Sequence, residues 1–293
     1  MIITDRIRAF DWPRLTVKCY IDDNVYTWIF KEFRDTFEEF IKVQTVFSTY
    51  SVSYLYQYSI QTFSIKENVI IIHMECILFN LTLNSRDIGG VKSPLGKTKH
   101  RVVIRTDALR YLSEEDKLFL LSNNIKTQID LRTESVVNRI PSSLQNDERF
   151  SFYNFPLVEG SMKSLEENDS VSSLYLRMIE NKEVFYNVFK TFINVEGGVL
   201  INCTAGKDRT GIVVYMMLSL LGVDFKTILK DYVSSDRNIK DNLPKVREVI
   251  KDFPKFLGDA KEEYLIEFHK GFTKKYKDVS SYLLHVGLNK EEI

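Results

Sequence analysis

The apolar positions change their period partway along the chain. Up to residue 83, apolar and polar residues alternate in short runs. The first are Leu15-Thr16-Val17-Lys18-Cys19-Tyr20-Ile21, a turn at Asp22-Asp23-Asn24, and Val25-Tyr26-Thr27-Trp28-Ile29-Phe30. Alternation rich in β-branched and aromatic residues, broken by Asp and Asn, predicts a hairpin. Residues 51–60 and 69–83 predict further strands, and 33–47 fits either helix or strand. Tyr50, Tyr54, Tyr56 and Tyr58 crowd this region; packing on a sheet explains them more simply than a ligand site does. From residue 84, short apolar runs are followed by longer segments of helical period. Strands are predicted at 101–105, 126–131, 151–155 and 198–203, and helices at 113–122, 172–194, 209–221, 225–235, 243–252, 260–275 and 279–287. Strands followed by helices predict an α/β fold, a mainly parallel sheet flanked by helices with its site at the strands' carboxyl ends. The expected organisation is a small β-rich accessory domain over 1–83 and an α/β domain over 84–293.

One strand-to-helix junction carries chemistry. Gly197-Gly198-Val199-Leu200-Ile201 reads as a buried strand opened by glycines, and Ile212 to Leu221 as an apolar helix closed by Gly222. Between them runs Asn202-Cys203-Thr204-Ala205-Gly206-Lys207-Asp208-Arg209-Thr210-Gly211. A loop ending on a helix N-terminus gathers backbone N–H groups and the positive end of the helix dipole, which suits a dianion and favours a thiolate. Thr204, Ala205, Gly206, Lys207, Asp208, Arg209 and Thr210 are therefore the candidate phosphate-binding residues. Cys203 is the candidate nucleophile, Arg209 offers a planar fork for two phosphoryl oxygens, and the Thr210 hydroxyl is placed to meet the departing sulfur.

These residues also carry a resemblance. C-x5-R followed by Thr resembles the signature loop of the cysteine-based protein tyrosine phosphatases. Within that superfamily, C-T-A-G-K-D-R-T-G resembles the bacterial tyrosine/serine phosphatase loop H-C-x-A-G-K-D-R-T-G. Asn84-Ser85-Arg86-Asp87-Ile88-Gly89-Gly90 resembles N-F-R-D-L-G-G, Arg105-Thr106-Asp107-Ala108-Leu109 resembles R-S-x-A-L, and Ile129-Asp130-Leu131-Arg132 resembles I-D-L-R. The segments Tyr264-Leu265 to Lys275-Tyr276, Ser281-Tyr282-Leu283 and Gly287-Leu288-Asn289-Lys290-Glu291-Glu292-Ile293 are similar to the family's closing helices. The resemblance runs from about residue 84 to the end. It implies a phosphatase-type fold and a phosphomonoesterase working through a cysteinyl-phosphate, with phosphotyrosine on protein as first substrate. Asn202 stands where the family carries histidine, and the loss of that histidine implies weaker activation of the thiol.

Several points stay open in the sequence. Asp208 and Asp87 are both candidate general acids, with Asp208 preferred; Asp208 also suits a helix cap and Asp87 a pin for the Gly89-Gly90 turn. The segment 158–173, with Glu159, Glu166, Glu167 and Asp169, fits a solvated loop better than an acid-bearing flap. Lys207 adds a second cation and keeps a phosphoinositide or dual-specificity activity as an alternative. An inactive phosphate-binding module is the alternative of another class. Asp130 and Arg132 read as an ion pair at a strand end.

Composition narrows the field. With 40 basic and 40 acidic residues in 293 there is no basic stripe for nucleic acid. Cys19, Cys76 and Cys203 are too few and too scattered for a disulfide framework, and Cys19 and Cys76 read as buried small hydrophobes. His73, His100, His269 and His285 lack metal-ligand spacing, so no metal or cofactor is expected. Gly96-Lys97-Thr98 ends like a nucleotide-binding loop, but Val91 stands where its first glycine belongs, and a glycine-proline turn is the reading. The lysines from Lys270 to Lys277 read as a solvated helix face. The N-terminal residues show no signal-peptide pattern, and Val69-Ile70-Ile71-Ile72 is too short to span a bilayer. The expected place of action is the cytoplasm.

Overall fold

The computed structural model describes residues 15–21, 24–30, 58–66, 69–76, 79, 82–158, 170–240 and 259–293. The chain divides into two compact units, 1–80 and 81–293. In the first, β1 (Leu15–Ile21), β2 (Asn24–Phe30), β3 (Tyr58–Lys66) and β4 (Val69–Cys76) form a sheet in the order β2-β1-β4-β3. Ile21 faces Asn24 across the β1–β2 hairpin, and β1 and β4 are parallel. The third strand overlaps the predicted 51–60 at 58–60 and the fourth covers 69–76 of the predicted 69–83; positions 51–57, 77–78 and 80–81 lie outside the described residues. Positions 33–47, Tyr50, Tyr54 and Tyr56 lie outside the described residues.

The second unit opens with the short strands β5 (Arg86–Asp87), β6 (Lys92–Ser93) and β7 (Gly96–Lys97). Then follow β8 (Val103–Thr106), α1 (Glu114–Ser122), β9 (Ile125–Asp130), α2 (Glu134–Arg139) and β10 (Ser151–Asn154). After them come α3 (Val171–Met178), α4 (Lys182–Asn194), β11 (Gly198–Asn202), α5 (Asp208–Leu220) and α6 (Phe225–Lys240). The unit closes with α7 (Glu262–Tyr276) and α8 (Val279–Val286). The main sheet runs β10-β9-β11-β8-β5; every pair is parallel except the short edge strand β5. This is the α/β, mainly parallel architecture that the sequence predicts. Pro94-Leu95 turns the β6–β7 hairpin, so Gly96-Lys97-Thr98 belongs to a tight turn and strand rather than a nucleotide loop.

The central position falls to the most apolar segments. All of β11 is buried, and every residue of α5 from Thr210 to Leu218 is buried too. A helix buried on all sides needs no polar face, which explains why its sequence shows a continuous apolar run instead of a stripe. Tyr215 of α5 meets Phe268 and Phe272 of α7 edge to face, with ring centroids 5.2 and 5.9 Å apart. On α7 the buried positions are Leu265, Phe268 and Phe272, which leaves the lysines on the outer side, where Lys275 pairs with Glu180 at 2.5 Å.

The single helix predicted over 172–194 is two helices. Tyr282 donates to the Ile179 carbonyl at 2.7 Å, and the Asn181 side chain donates to the Met178 carbonyl at 3.1 Å and to that of Val158. Carbonyls that a continuing helix would bond are thereby taken by side chains. The predicted helix at 243–252 and most of the 158–173 segment lie outside the described residues.

Candidate active site

Strand β11 ends at Asn202, α5 begins at Asp208, and Cys203 to Lys207 form the loop between them at the carboxyl end of the sheet. Cys203 is 2% exposed. The carbonyls of this loop are held from outside, one after another. Asn202 Nδ2 lies 3.4 Å from the Cys203 oxygen, and Ala108 N–H donates to Thr204 at 3.2 Å. Asn84 Nδ2 donates to Ala205 at 2.8 Å and to Gly206 at 3.0 Å, while Arg105 Nη2 donates to Gly206 at 2.6 Å. The Lys207 carbonyl accepts Gly211 N–H at 2.8 Å, the first bond of the helix.

In a trans peptide the C=O and the following N–H point to opposite sides. Carbonyls 203–207 turned onto the scaffold therefore turn the N–H groups of residues 204–208 into the loop's concave side. The N–H groups of Asp208, Arg209 and Thr210, before the first helical bond, also lack an intrahelical acceptor. Gly206 makes the path possible. Its φ is +62°, and a Cβ there would come within 2.4 Å of the Thr106 carbonyl oxygen.

The braces are braced in turn. Arg105 is fully buried and pairs with Asp231, and Arg86 Nε reaches the same carboxylate at 2.7 Å. Burial raises the Asp231 carboxyl, but the charges of Arg105 and Arg86 outweigh it and hold the group below its ordinary value. Burial, helped by the Arg86 charge, lowers Arg105 to about 10, so it keeps its charge at neutral pH. Asp107 accepts the Leu83 and Asn84 N–H groups at 3.0 and 3.1 Å; burial raises this carboxyl. On the other flank, Ser142 Oγ donates to Gln128 Oε1 at 2.8 Å, and Gln128 Nε2 donates to Asn202 Oδ1 at 2.7 Å. Asn202 thus has a fixed rotamer and holds the Cys203 carbonyl.

Arg209 lies over the loop, its Nη2 3.3 Å from Thr204 Oγ1 and its Nη1 3.5 Å from the Leu131 carbonyl. Leu131 N–H donates to the Asn202 carbonyl at 2.8 Å, and on either side of it Asp130 and Arg132 form a buried ion pair at 2.6 Å, the strand-end role read from the sequence. Thr210 Oγ1 is buried and has no hydrogen-bond partner among the described residues. Lys207 is 1% exposed; its ammonium donates to the Asp259 carbonyl at 2.8 Å and pairs with Asp208 Oδ1 at 3.2 Å. Asp208 Oδ1 also accepts the Tyr175 hydroxyl.

Asp87 is not brought to the loop. Its carboxylate accepts Gly89 N–H at 2.8 Å and Arg101 N–H at 2.8 Å, with His100 at 3.1 Å, all beyond the amino end of β8. It pins the Gly89-Gly90 turn, and the edge strand, running antiparallel, carries its carboxylate away from the Cys203 end of the sheet. Asp231, Ser235, Tyr175, Tyr232, Gln128 and Ser142 are site-supporting residues that sequence reading missed. Each is an isolated polar position on a helix, strand or loop, with no spacing to mark it.

Among the described residues no group of three or more His, Cys, Asp or Glu side chains is arranged to hold a metal ion, and no helix is long and apolar enough to cross a membrane. Residues 77–293 match the profile of the Tyrosine phosphatase family. The chain is 32% identical over 139 residues to a tyrosine-protein phosphatase of Nostoc commune, covering 45% of this chain and 47% of that one. It is 29% identical over 112 residues to the triple specificity protein phosphatase PtpB of Mycobacterium tuberculosis, covering 32% of this chain and 41% of the relative. The chain thus spans about half the length, or less, of these two relatives. A solved structure of TpbA from P. aeruginosa overlaps 68% of this chain and 96% of its own at 11% identity, with a TM-score of 0.31. With a profile match over most of the chain and the C-x5-R loop at its centre, the chain belongs to the tyrosine phosphatase family.

Proposed function

We propose that the protein is a cysteine-dependent phosphomonoesterase acting on phosphotyrosine in proteins. The observation that supports this most is the set of outward-held carbonyls from Cys203 to Lys207, which leaves inward N–H groups above a buried thiol and beside Arg209. Such an array matches a phosphoryl group whose charge is spread over its equatorial oxygens. The Cys203 sulfur attacks phosphorus as the bond to the leaving oxygen breaks, and Asp208 gives that oxygen its proton. Water then attacks the cysteinyl-phosphate, losing its proton to the Asp208 carboxylate. The Thr210 hydroxyl, buried and without a hydrogen-bond partner among the described residues, suits the sulfur that leaves.

A phosphoinositide or dual-specificity activity is the second reading, and the words triple specificity in the name of the mycobacterial relative speak for a specificity broader than phosphotyrosine. The Lys207 ammonium does not, because Asp208 and the Asp259 carbonyl already hold it. The intact Cys203, Arg209 and Thr210 weigh against an inactive phosphate binder.

The test is turnover of p-nitrophenyl phosphate, expected to be sensitive to vanadate and insensitive to EDTA. Cys203→Ser should lower it by about 10³-fold or more, since the hydroxyl is a far weaker nucleophile at neutral pH. A Cys203→Ser variant that kept a tenth of the rate would contradict the covalent step.

A further inference from the structure

Asp208 is held by more than its place in the loop. Tyr175 of α3 donates its hydroxyl to Asp208 Oδ1, and Tyr232 of α6 lies 2.7 Å from the Tyr175 oxygen. Each tyrosine is 1% exposed. Their rings meet edge to face at 6.3 Å, and Tyr175 packs in the same way on Phe268 at 6.0 Å. The Tyr232 ring also lies directly against α5, where a Cβ at Gly211 would come within 3.3 Å of its Cδ2. Burial, and then the charge of Asp208, raises both hydroxyls well above the usual tyrosine range, so both stay protonated and able to donate.

The direction of this chain follows from what each group can do. An ionised carboxylate only accepts, so Tyr175 donates to Asp208. The Tyr175 oxygen is then free to accept, and Tyr232 donates to it. Lys207 Nζ, 3.2 Å away, brings a second donor to the same carboxylate oxygen. An oxygen that receives two donors is a poor place for a proton. The proton of the acid form is thereby confined to Oδ2, which receives no hydrogen bond from a described residue.

We propose that Tyr175, supported by Tyr232, is a positioning residue for the general acid: it fixes Oδ1 inward so that Oδ2 carries the proton to the leaving oxygen. This rests on the phosphatase reading and on Asp208 as its acid. In the first half-reaction the phosphorus–oxygen bond breaks as the phosphorus–sulfur bond forms, and the Oδ2 proton moves to the leaving oxygen. The charge left on Asp208 falls on a carboxylate already met by Tyr175 and Lys207. In the second half-reaction Oδ2 takes a proton from the attacking water, and sulfur departs as the thiolate.

The consequence is a dependence on the leaving group. A misplaced acid matters little when the leaving phenol is acidic and much when it is not. The experiment compares p-nitrophenyl phosphate, phenyl phosphate and a phosphotyrosine peptide in wild type, Tyr175→Phe, Asp208→Asn and the Tyr175→Phe/Asp208→Asn double variant. Tyr175→Phe is expected to lose no more than about threefold on p-nitrophenyl phosphate and about 10–100-fold on the other two, within the span of one acid catalyst. The double variant should be no slower than Asp208→Asn alone. Because Tyr175→Phe leaves the Tyr232 hydroxyl buried without its acceptor, Tyr175→Phe/Tyr232→Phe serves as a second variant and should give the same leaving-group pattern. An equal loss on all three substrates, or additive losses in the double variant, overturns the positioning role while leaving the phosphatase reading in place. Wild-type turnover that does not depend on Cys203 overturns both.

Discussion

The two ends of the main sheet are built on opposite principles. At the carboxyl end Arg105, Thr106, Gln128, Asp130, Arg132 and Asn202 are all buried, and each has a side-chain or backbone partner among the described residues. At the amino end lies a mainly apolar cavity of about 440 Å³, whose lining includes Ile88, Val103, Phe189, Met217, Leu218 and Leu283. A buried polar group left without its partner costs about 1–3 kcal/mol, so each member of the carboxyl end constrains the next. Apolar contacts are non-directional, and the amino end can leave space unfilled. The difference teaches that geometry is fixed around the proposed catalytic loop, and that packing alone suffices where the fold only has to hold together.

The largest effect should come from cutting one brace at the polar end. Asn84→Ala frees the carbonyl of Ala205 and leaves that of Gly206 to Arg105 alone, which loosens the orientation of the N–H groups that follow. We expect kcat/KM to fall by about 10²-fold, the scale of one lost charge-stabilising donor. Urea unfolding should show a change of only about 1–3 kcal/mol. Unchanged kinetics in a folded Asn84→Ala protein would break the comparison.

The amino end should respond the other way. Leu218→Ala enlarges a space that is already present, and we expect a loss of about 2–5 kcal/mol in unfolding free energy. Its kcat/KM per folded molecule should stay within about twofold of wild type, because no loop carbonyl depends on Leu218. A large kinetic loss with little change in stability would show that the two ends are coupled.

The smallest effect sharpens the comparison inside the polar end. Asn202 already holds the Cys203 carbonyl and is itself held by Gln128. Asn202→His should therefore raise the rate of iodoacetamide inactivation at mildly acidic pH by only a few-fold, with no change at alkaline pH. A far larger rise would mean that the Ser142–Gln128–Asn202 chain orients the loop without activating the thiol.

The sequence made the framework of 84–293 legible because its strands are short apolar runs and its central helix is apolar throughout. The loop was legible for a different reason: Cys203 and Arg209 are close in the chain, and a strand-to-helix junction is a local feature. The supports were not legible. Tyr232, Asp231 and Ser235 serve three parts of the site from one helix, yet along the chain they are ordinary positions on an amphipathic segment. The resemblance makes Asp87 a candidate acid through its R-D-I-G-G turn, whereas the antiparallel direction of β5 carries its carboxylate to Gly89 and Arg101. The break at 179–181 depends on Tyr282, about a hundred residues away, which no local propensity records.

The central claim is that Cys203 carries the phosphoryl group in a cradle of loop N–H groups. Rapid acid quenching during turnover of p-nitrophenyl phosphate, followed by peptide mass spectrometry, tests it most directly. The account predicts a phosphate adduct on the peptide containing Cys203, present during turnover, prevented by vanadate and absent in Cys203→Ser. Steady turnover with no adduct on that peptide, and with the rate retained in Cys203→Ser, would contradict it.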